Sequence, residues 1–243
     1  TIYTENAFVG HDRISDGKLL TLGLTSRFLD AQSGAETLRL GLAQRYRFEP
    51  QTVALPGGTA VRERFSDILL AANVNWDPRW AFDASMQFNP AAEQTVRSTL
   101  AARYNPGPYR VVTATHRYQR GASEQLDLGW QWPLNSGGGA VDATQGRWYS
   151  VGRLNYNLNE RKLVDAVLGL EYDACCWRAR VVLDQKQIGT TAAKIGISFQ
   201  LEFVGFTRLS VGNNPLKTLK ENIPNYQYLG EATSPSSRFS QYD

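Results

Sequence analysis

The stretch LVDAVLGLEYDACCWRARVVL, residues 163–183, decides the fold. Before its cysteine pair, Val164, Ala166, Leu168, Leu170 and Tyr172 share one parity. After the pair, Trp177, Ala179, Val181 and Leu183 do the same, which is the two-residue period of a strand. Two strands therefore meet at a tight turn holding the cysteines. The other parity carries Asp165, Glu171, Asp173, Arg178 and Arg180, so the hairpin has one greasy face and one charged face. A sheet of this kind has lipid or a core on one side and water on the other. Cys175 and Cys176 are the only cysteines in the chain. Adjacent cysteines bridge each other only through a strained ring, so disulfide partners elsewhere are favoured over a bond between the two. A pair of buried free thiols is the plain alternative.

The same alternation recurs on both sides of this hairpin. Upstream it marks strands at 18–29, 38–48, 68–76, 80–88, 95–104, 110–119, 125–132 and 148–158, and downstream at 194–203. With the central hairpin this makes about eleven strands of roughly ten residues, the length of a transmembrane barrel strand. An odd number suggests that further strands are missing. Asp77-Pro78-Arg79 makes the clearest tight turn, and Asn105-Pro106-Gly107-Pro108 is expected to force another. Trp76 and Trp80 flank the first turn on the apolar parity, where a barrel places an aromatic girdle and a soluble sheet can also cap its core. The non-apolar parity is repeatedly basic, with Arg39, Arg45, Arg47, Arg97, Arg103 and Arg153. In a barrel these residues, together with Asp165, Glu171, Arg178 and Arg180, face the lumen. Rows of like charge repel across strands, so Asp165, Glu171 and Asp173 are the expected partners of those arginines, and solvation in a wide aqueous channel is the alternative.

Composition fits this reading without forcing it. The 243 residues suffice for one large all-β domain, and 26 Lys+Arg against 23 Asp+Glu leave a charge of +3 with no basic cluster, so nucleic acid is not indicated. No apolar run reaches the ~18 residues of a spanning helix. A mean hydropathy of -0.38 looks polar, yet a transmembrane barrel hides its apolar half in such an average because lipid-facing and lumen-facing residues alternate. The chain opens at Thr1 with no signal pattern and reads as a mature form or a fragment. Residues 1–16 read as a loop or the end of a preceding strand, 17–206 as barrel strands, and 207–243 as a C-terminal segment. In that last part, 214–220 looks like a short helix capped by Asn214 with Pro215 at its first position, and the Ser-rich tail from Thr233 reads as disordered.

Chemistry-bearing motifs are few. His11 and His116 are the only histidines, and neither sits in a triad-like grouping. Gly137-Gly138-Gly139 has no GK[ST] signature and no following helix, so it reads as a flexible loop and not a phosphate cradle. Two cysteines without further ligands at metal spacing do not make a metal site. No catalytic residue, metal or cofactor is expected.

The strings TENAFVGHDRISDGKLLTLGLTSRFLD (4–30), LRLGLAQRYRF (38–48), LGLEYDACCWRARVV (168–182), ISFQLEFVGF (197–206) and NPLKTLKENIPNY (214–226) resemble the C-terminal half of the LPS-assembly family LptD. The adjacent cysteines before a tryptophan are the most specific element of the likeness. The resemblance implies an all-β, antiparallel transmembrane barrel in the outer membrane of a Gram-negative bacterium. Such a barrel encloses a lipoprotein plug, LptE, and acts as a translocon that delivers lipopolysaccharide into the outer leaflet. It also implies contact with outer-membrane lipid, with periplasmic components of the lipopolysaccharide bridge through an N-terminal domain, and disulfides from Cys175 and Cys176 to cysteines in that domain. An outer-membrane porin or receptor barrel, or an outer-membrane hydrolase, is the alternative.

Overall fold

A computed structural model describes residues 18–49, 63–135, 146–174, 176–188 and 192–229. The strands are β1 (Leu19–Leu29), β2 (Glu36–Arg47), β3 (Ile68–Asp77), β4 (Trp80–Asn89), β5 (Gln94–Gly107), β6 (Arg110–Gln119), β7 (Ser123–Pro133), β8 (Arg147–Asn157), β9 (Lys162–Asp173), β10 (Trp177–Ile188), β11 (Ala192–Phe203) and β12 (Thr207–Val211). One short helix follows, α1 (Pro215–Asn222). All twelve strands join one sheet in sequence order, β1 to β12, as an all-β antiparallel meander. No helix among the described residues is long and apolar enough to cross a membrane.

The register turns the sequence alternation into two faces. Leu24 lies opposite Leu42, and Thr25 opposite Gly41. Val181 lies between Leu170 and Phe199, while Arg180 lies between Glu171 and Gln200. A slip of one residue would exchange these faces, so the alternation pins the pairing. The apolar face stays uncovered: Leu22, Leu24, Ile195 and Ile197 are 63%, 69%, 68% and 69% exposed. Exposed apolar side chains of this kind, found in both β1 and β11, mark a surface that meets lipid or another protein.

Two compact units are distinguished within the sheet. The first holds β1 to β3 with residues 81–100 and 117–123, and in β1 and β2 the apolar side chains Leu22, Leu24, Phe28, Leu40 and Leu42 remain exposed. The second holds residues 78–80, 101–116 and everything from Glu124 onward, and it contains a small dry core. That core lies on the charged face. Val151, Val167 and Val182 form a floor on β8, β9 and β10, and Leu219 and Ile223 of the C-terminal segment pack onto it with Tyr226 alongside.

Several expectations need correction. The turn placed at residues 105–108 is shorter, because β5 runs on through Gly107 and the Asn105 amide still donates to the Arg79 carbonyl at 2.7 Å. Pro108 and Tyr109 alone make the turn, with Tyr109 at φ 56°; proline followed by a positive φ is the type II pattern. The strand region does not stop at residue 206: β12 pairs Leu209 with Leu201 and Arg208 with Glu202, giving twelve strands in place of eleven. Five residues are too few for a strong alternation signal. The end of the long β2–β3 connection is also paired, as Phe65 bridges Tyr46. The helix forms as read, with the Asn214 side chain accepting from the Lys217 amide at 3.2 Å and Pro215 beginning the helix. Residues 1–16, His11, the glycine run 137–139, Cys175 and the tail from Thr233 lie outside the described residues.

Candidate functional site: the cysteine turn and the charged face

The β9–β10 turn is closed by the Ala174 amide donating to the Trp177 carbonyl at 3.0 Å, and Cys176 within it is exposed. The neighbouring β11–β12 turn is tied to it, since the Val204 amide donates to the Cys176 carbonyl at 3.0 Å. Aromatic rings mark this end of the sheet on the apolar face. Trp148 and Trp177 lie 4.8 and 5.0 Å from Tyr172, and Trp177 is paired with Phe203. Trp80 lies 4.4 Å from Tyr104, which in turn stacks at 6.4 Å on Trp132. Trp76 and Trp80 alone suggested a girdle in the sequence; the register adds Tyr104, Trp132, Trp148, Tyr172 and Trp177. An aromatic row of this kind suits the boundary between hydrocarbon and water, where amphipathic rings are favoured.

On the charged face the arginines expected to find carboxylates do so in the central hairpin. Arg178 donates to Asp173 at 2.7 Å, one rung from the cysteine turn. Arg180 donates to Glu171 at 2.8 Å and to Glu202 at 3.0 Å, and both Arg180 and Glu171 are fully buried. Arg208 of β12 reaches the same Glu202 at 3.4 Å. A second grouping surrounds Arg153, which binds Asp127 through its Nε and Nη2 atoms and Asp165 at 3.3 Å. Elsewhere the partners are different. Arg39 is held by Glu36 at 2.7 Å, Arg45 donates to the Thr21 hydroxyl at 3.2 Å, and Arg103 donates to the Asn225 side chain at 3.3 Å. Arg47 lies opposite Leu19, and Arg97 is exposed on β5. Asp127 and Glu202 were not singled out in the sequence, although both sit on the polar parity of their strands.

The C-terminal segment completes the site. The Tyr226 hydroxyl donates to Glu171 at 2.6 Å, and the Tyr228 hydroxyl donates to Glu202. The side-chain amide of Gln131 clasps the backbone of Gln227, donating to its carbonyl at 2.8 Å and accepting from its amide at 2.9 Å. The Tyr228 ring is surrounded by Arg180, Lys220 and Arg208 at 5.0, 5.1 and 5.6 Å from its centroid. Burial and the adjacent Glu171 carboxylate push the Tyr226 phenol well above its ordinary range. Sequence reasoning read this segment as a helix and a tail. The signal that could have located its seat was Val151, Val167 and Val182, apolar residues on an otherwise polar parity.

Among the described residues no group of His, Cys, Asp and Glu could hold a metal ion. His116 sits 3.0 Å from Glu124 beside the β6–β7 turn. The arrangement as a whole can bury charge, hold strands in register and present a cysteine at one rim. A family model described as "LptD: LPS transport system D" matches residues 1–148, more than half of the chain. The chain belongs to the LptD family. Three relatives, each named "LPS-assembly protein LptD", extend the match beyond residue 148. The chain is 61% identical to that of Albidiferax ferrireducens and 54% identical to that of Paracidovorax citrulli, in both cases over 100% of this chain and 31% of the relative. It is 38% identical to that of Thiobacillus denitrificans over 95% of this chain and 30% of the relative. The LptD chain described here thus spans about a third of the length of the curated relatives it matches. These alignments take in the cysteine turn, the Arg180 cluster and the C-terminal segment, all of which lie beyond the residues covered by the family model.

Proposed function

We propose that this chain is the C-terminal part of an outer-membrane translocon barrel that delivers lipopolysaccharide into the outer leaflet of a Gram-negative outer membrane. The observation that carries the proposal is 61% identity, across the whole chain, to a protein named for lipopolysaccharide assembly. In this reading the exposed apolar face, with Leu24, Leu40, Leu42 and Ile197, meets outer-membrane lipid, and the aromatic row marks one membrane boundary. The other face lines the lumen with Arg39, Arg45, Arg47, Arg97, Arg103, Arg153, Asp165, Glu171, Arg178 and Arg180, a polar wall along which the sugars and phosphates of lipopolysaccharide pass without entering hydrocarbon. A lipoprotein plug of the LptE kind occupies part of that lumen. Periplasmic bridge components dock through an N-terminal domain, and Cys175 and Cys176 form disulfides to cysteines of that domain, tying it to the rim at the β9–β10 turn. Lipopolysaccharide is moved and not chemically changed, so the residues bind, exclude and position.

Conditional depletion of the full-length protein tests this. Newly made lipopolysaccharide should stop reaching the cell surface and be restored by the full-length gene. Normal surface arrival during depletion, with porin and phospholipid content unaffected, would reject the reading.

A further inference from the structure

The C-terminal segment lies on the sheet as an object separate from it. Its path begins at Gly212, where φ is 84° and a Cβ would stand 2.8 Å from the Ile197 carbonyl oxygen, so that no residue larger than glycine fits. Asn214 and Pro215 then start the helix, Leu219 and Ile223 rest on β8, β9 and β10, Gln227 is held by Gln131 of β7, and Tyr228 reaches Glu202 of β11. From Asn214 to Tyr228 the bonds to the strands described above all run through a side chain, and Leu229, in a single β-bridge, is the backbone-paired end of the segment, whereas the strands hold one another backbone to backbone along their length. The segment can therefore leave without breaking a strand-to-strand hydrogen bond.

The dependence is one-sided. An eight-residue helix has no stability of its own in water, so α1 persists only while Leu219 and Ile223 rest on the valine floor. The floor exists only once β8, β9 and β10 are in register. Uncovered, the Glu171, Arg180 and Glu202 cluster hydrates, and the apolar surface lost to water is confined to the three valines of the floor. We infer that residues 212–229 are a releasable latch: they dock onto the charged face of β7 to β11 after those strands have paired, and they undock while the sheet stays intact. Docked, the latch turns the Glu171–Arg180–Glu202 cluster from a wet group into a dry one through the two tyrosine hydroxyls. The latch is a property of the fold alone and is independent of lipopolysaccharide delivery.

Amide hydrogen exchange on the full-length, membrane-extracted protein tests it, using Leu219→Asp and, as a milder change that leaves the valine floor filled, Tyr226→Phe combined with Tyr228→Phe. In Leu219→Asp, exchange in 215–229 should rise about 100-fold or more while β8 to β11 change less than about 3-fold. In the double phenylalanine variant the segment should rise about 10-fold with the strands again unaffected. Parallel loss of protection in the segment and in β8 to β11 would show one cooperative unit and overturn the latch. Unchanged protection of the segment in the double variant would overturn it as well. If Leu219→Asp fails to assemble, the double variant decides between these outcomes.

Discussion

Arg180 on β10 and Glu171 on β9 stand directly opposite each other, 2.8 Å apart and without solvent contact, on the face of the sheet that the sequence marks as polar. Strand pairing alone would leave such a pair at a wet surface, where it is worth little. The C-terminal segment makes it a buried pair, with the Tyr226 hydroxyl donating to Glu171 and the Tyr228 hydroxyl to Glu202.

Removing one member should therefore be severe. Arg180→Ala or Glu171→Ala is expected to destabilise the folded barrel by roughly 3–5 kcal/mol, because each strands the other charge in a dry site. The double variant Arg180→Met with Glu171→Leu should lose far less than the sum of the single changes. Denaturant unfolding of the full-length protein in lipid vesicles measures this, and simple additivity would disprove the coupling.

The face assignment makes opposite predictions for neighbouring positions on β2. Leu40 is on the exposed apolar face, while Ala43 shares the face of Arg39 and Arg45. Leu40→Arg should cost roughly 2–4 kcal/mol and reduce the amount of assembled protein in the outer membrane, whereas Ala43→Arg should be much milder. Equal tolerance of the two would invalidate the assignment.

Tyr226 introduces a dependence on alkaline pH. Its phenol is raised in the folded state by burial and by Glu171, so in the unfolded chain it ionises first, near the ordinary value of about 10. Its contribution is fully present below that pH and is lost as pH rises beyond it. Tyr226→Phe should weaken docking of the segment by roughly 1–3 kcal/mol at neutral pH and flatten the decline above about pH 10. Tryptic cleavage at Lys217 and Lys220 as a function of pH reads out both effects; identical pH profiles for the two proteins would refute the assignment.

Much of the fold was legible because a strand wet on one side must alternate. The β9–β10 hairpin could be read directly, since alternation puts Leu168, Leu170, Val181 and Leu183 on one face and Glu171, Asp173, Arg178 and Arg180 on the other. Asp165, Glu171 and Asp173 as arginine partners followed from the cost of like charges facing one another. What alternation leaves open is the register between one strand and the next, which decides which polar residues meet. Glu202 joins Arg180 from β11, and Asp127 joins Arg153 from β7, so neither was visible as a partner. Val151, Val167 and Val182 are apolar exceptions on the polar parity, and the group that covers them lies some forty to seventy residues further on, by the numbering of Leu219 and Ile223. Thr207–Val211 is too short to show a period.

The exposed Cys176 at the rim, next to Cys175, sets an expectation for the whole protein. Peptide mapping of unreduced full-length protein should recover peptides with 175 and 176 cross-linked to cysteines outside this chain, as an oxidising compartment favours. A bond between the two neighbours, seen as one peptide two hydrogens lighter with no cross-link, would contradict the tether.

Photo-crosslinking in living cells tests the passage of lipopolysaccharide along the charged face most directly. A photoreactive side chain replaces Gly41 or Ala43 on the charged face, or Leu40 or Leu42 on the apolar face, of the full-length protein. Lipopolysaccharide adducts are predicted at Gly41 and Ala43 and should disappear when lipopolysaccharide supply is blocked. Adducts confined to Leu40 and Leu42, or none at either charged-face position in an assembled protein, would contradict delivery past this wall.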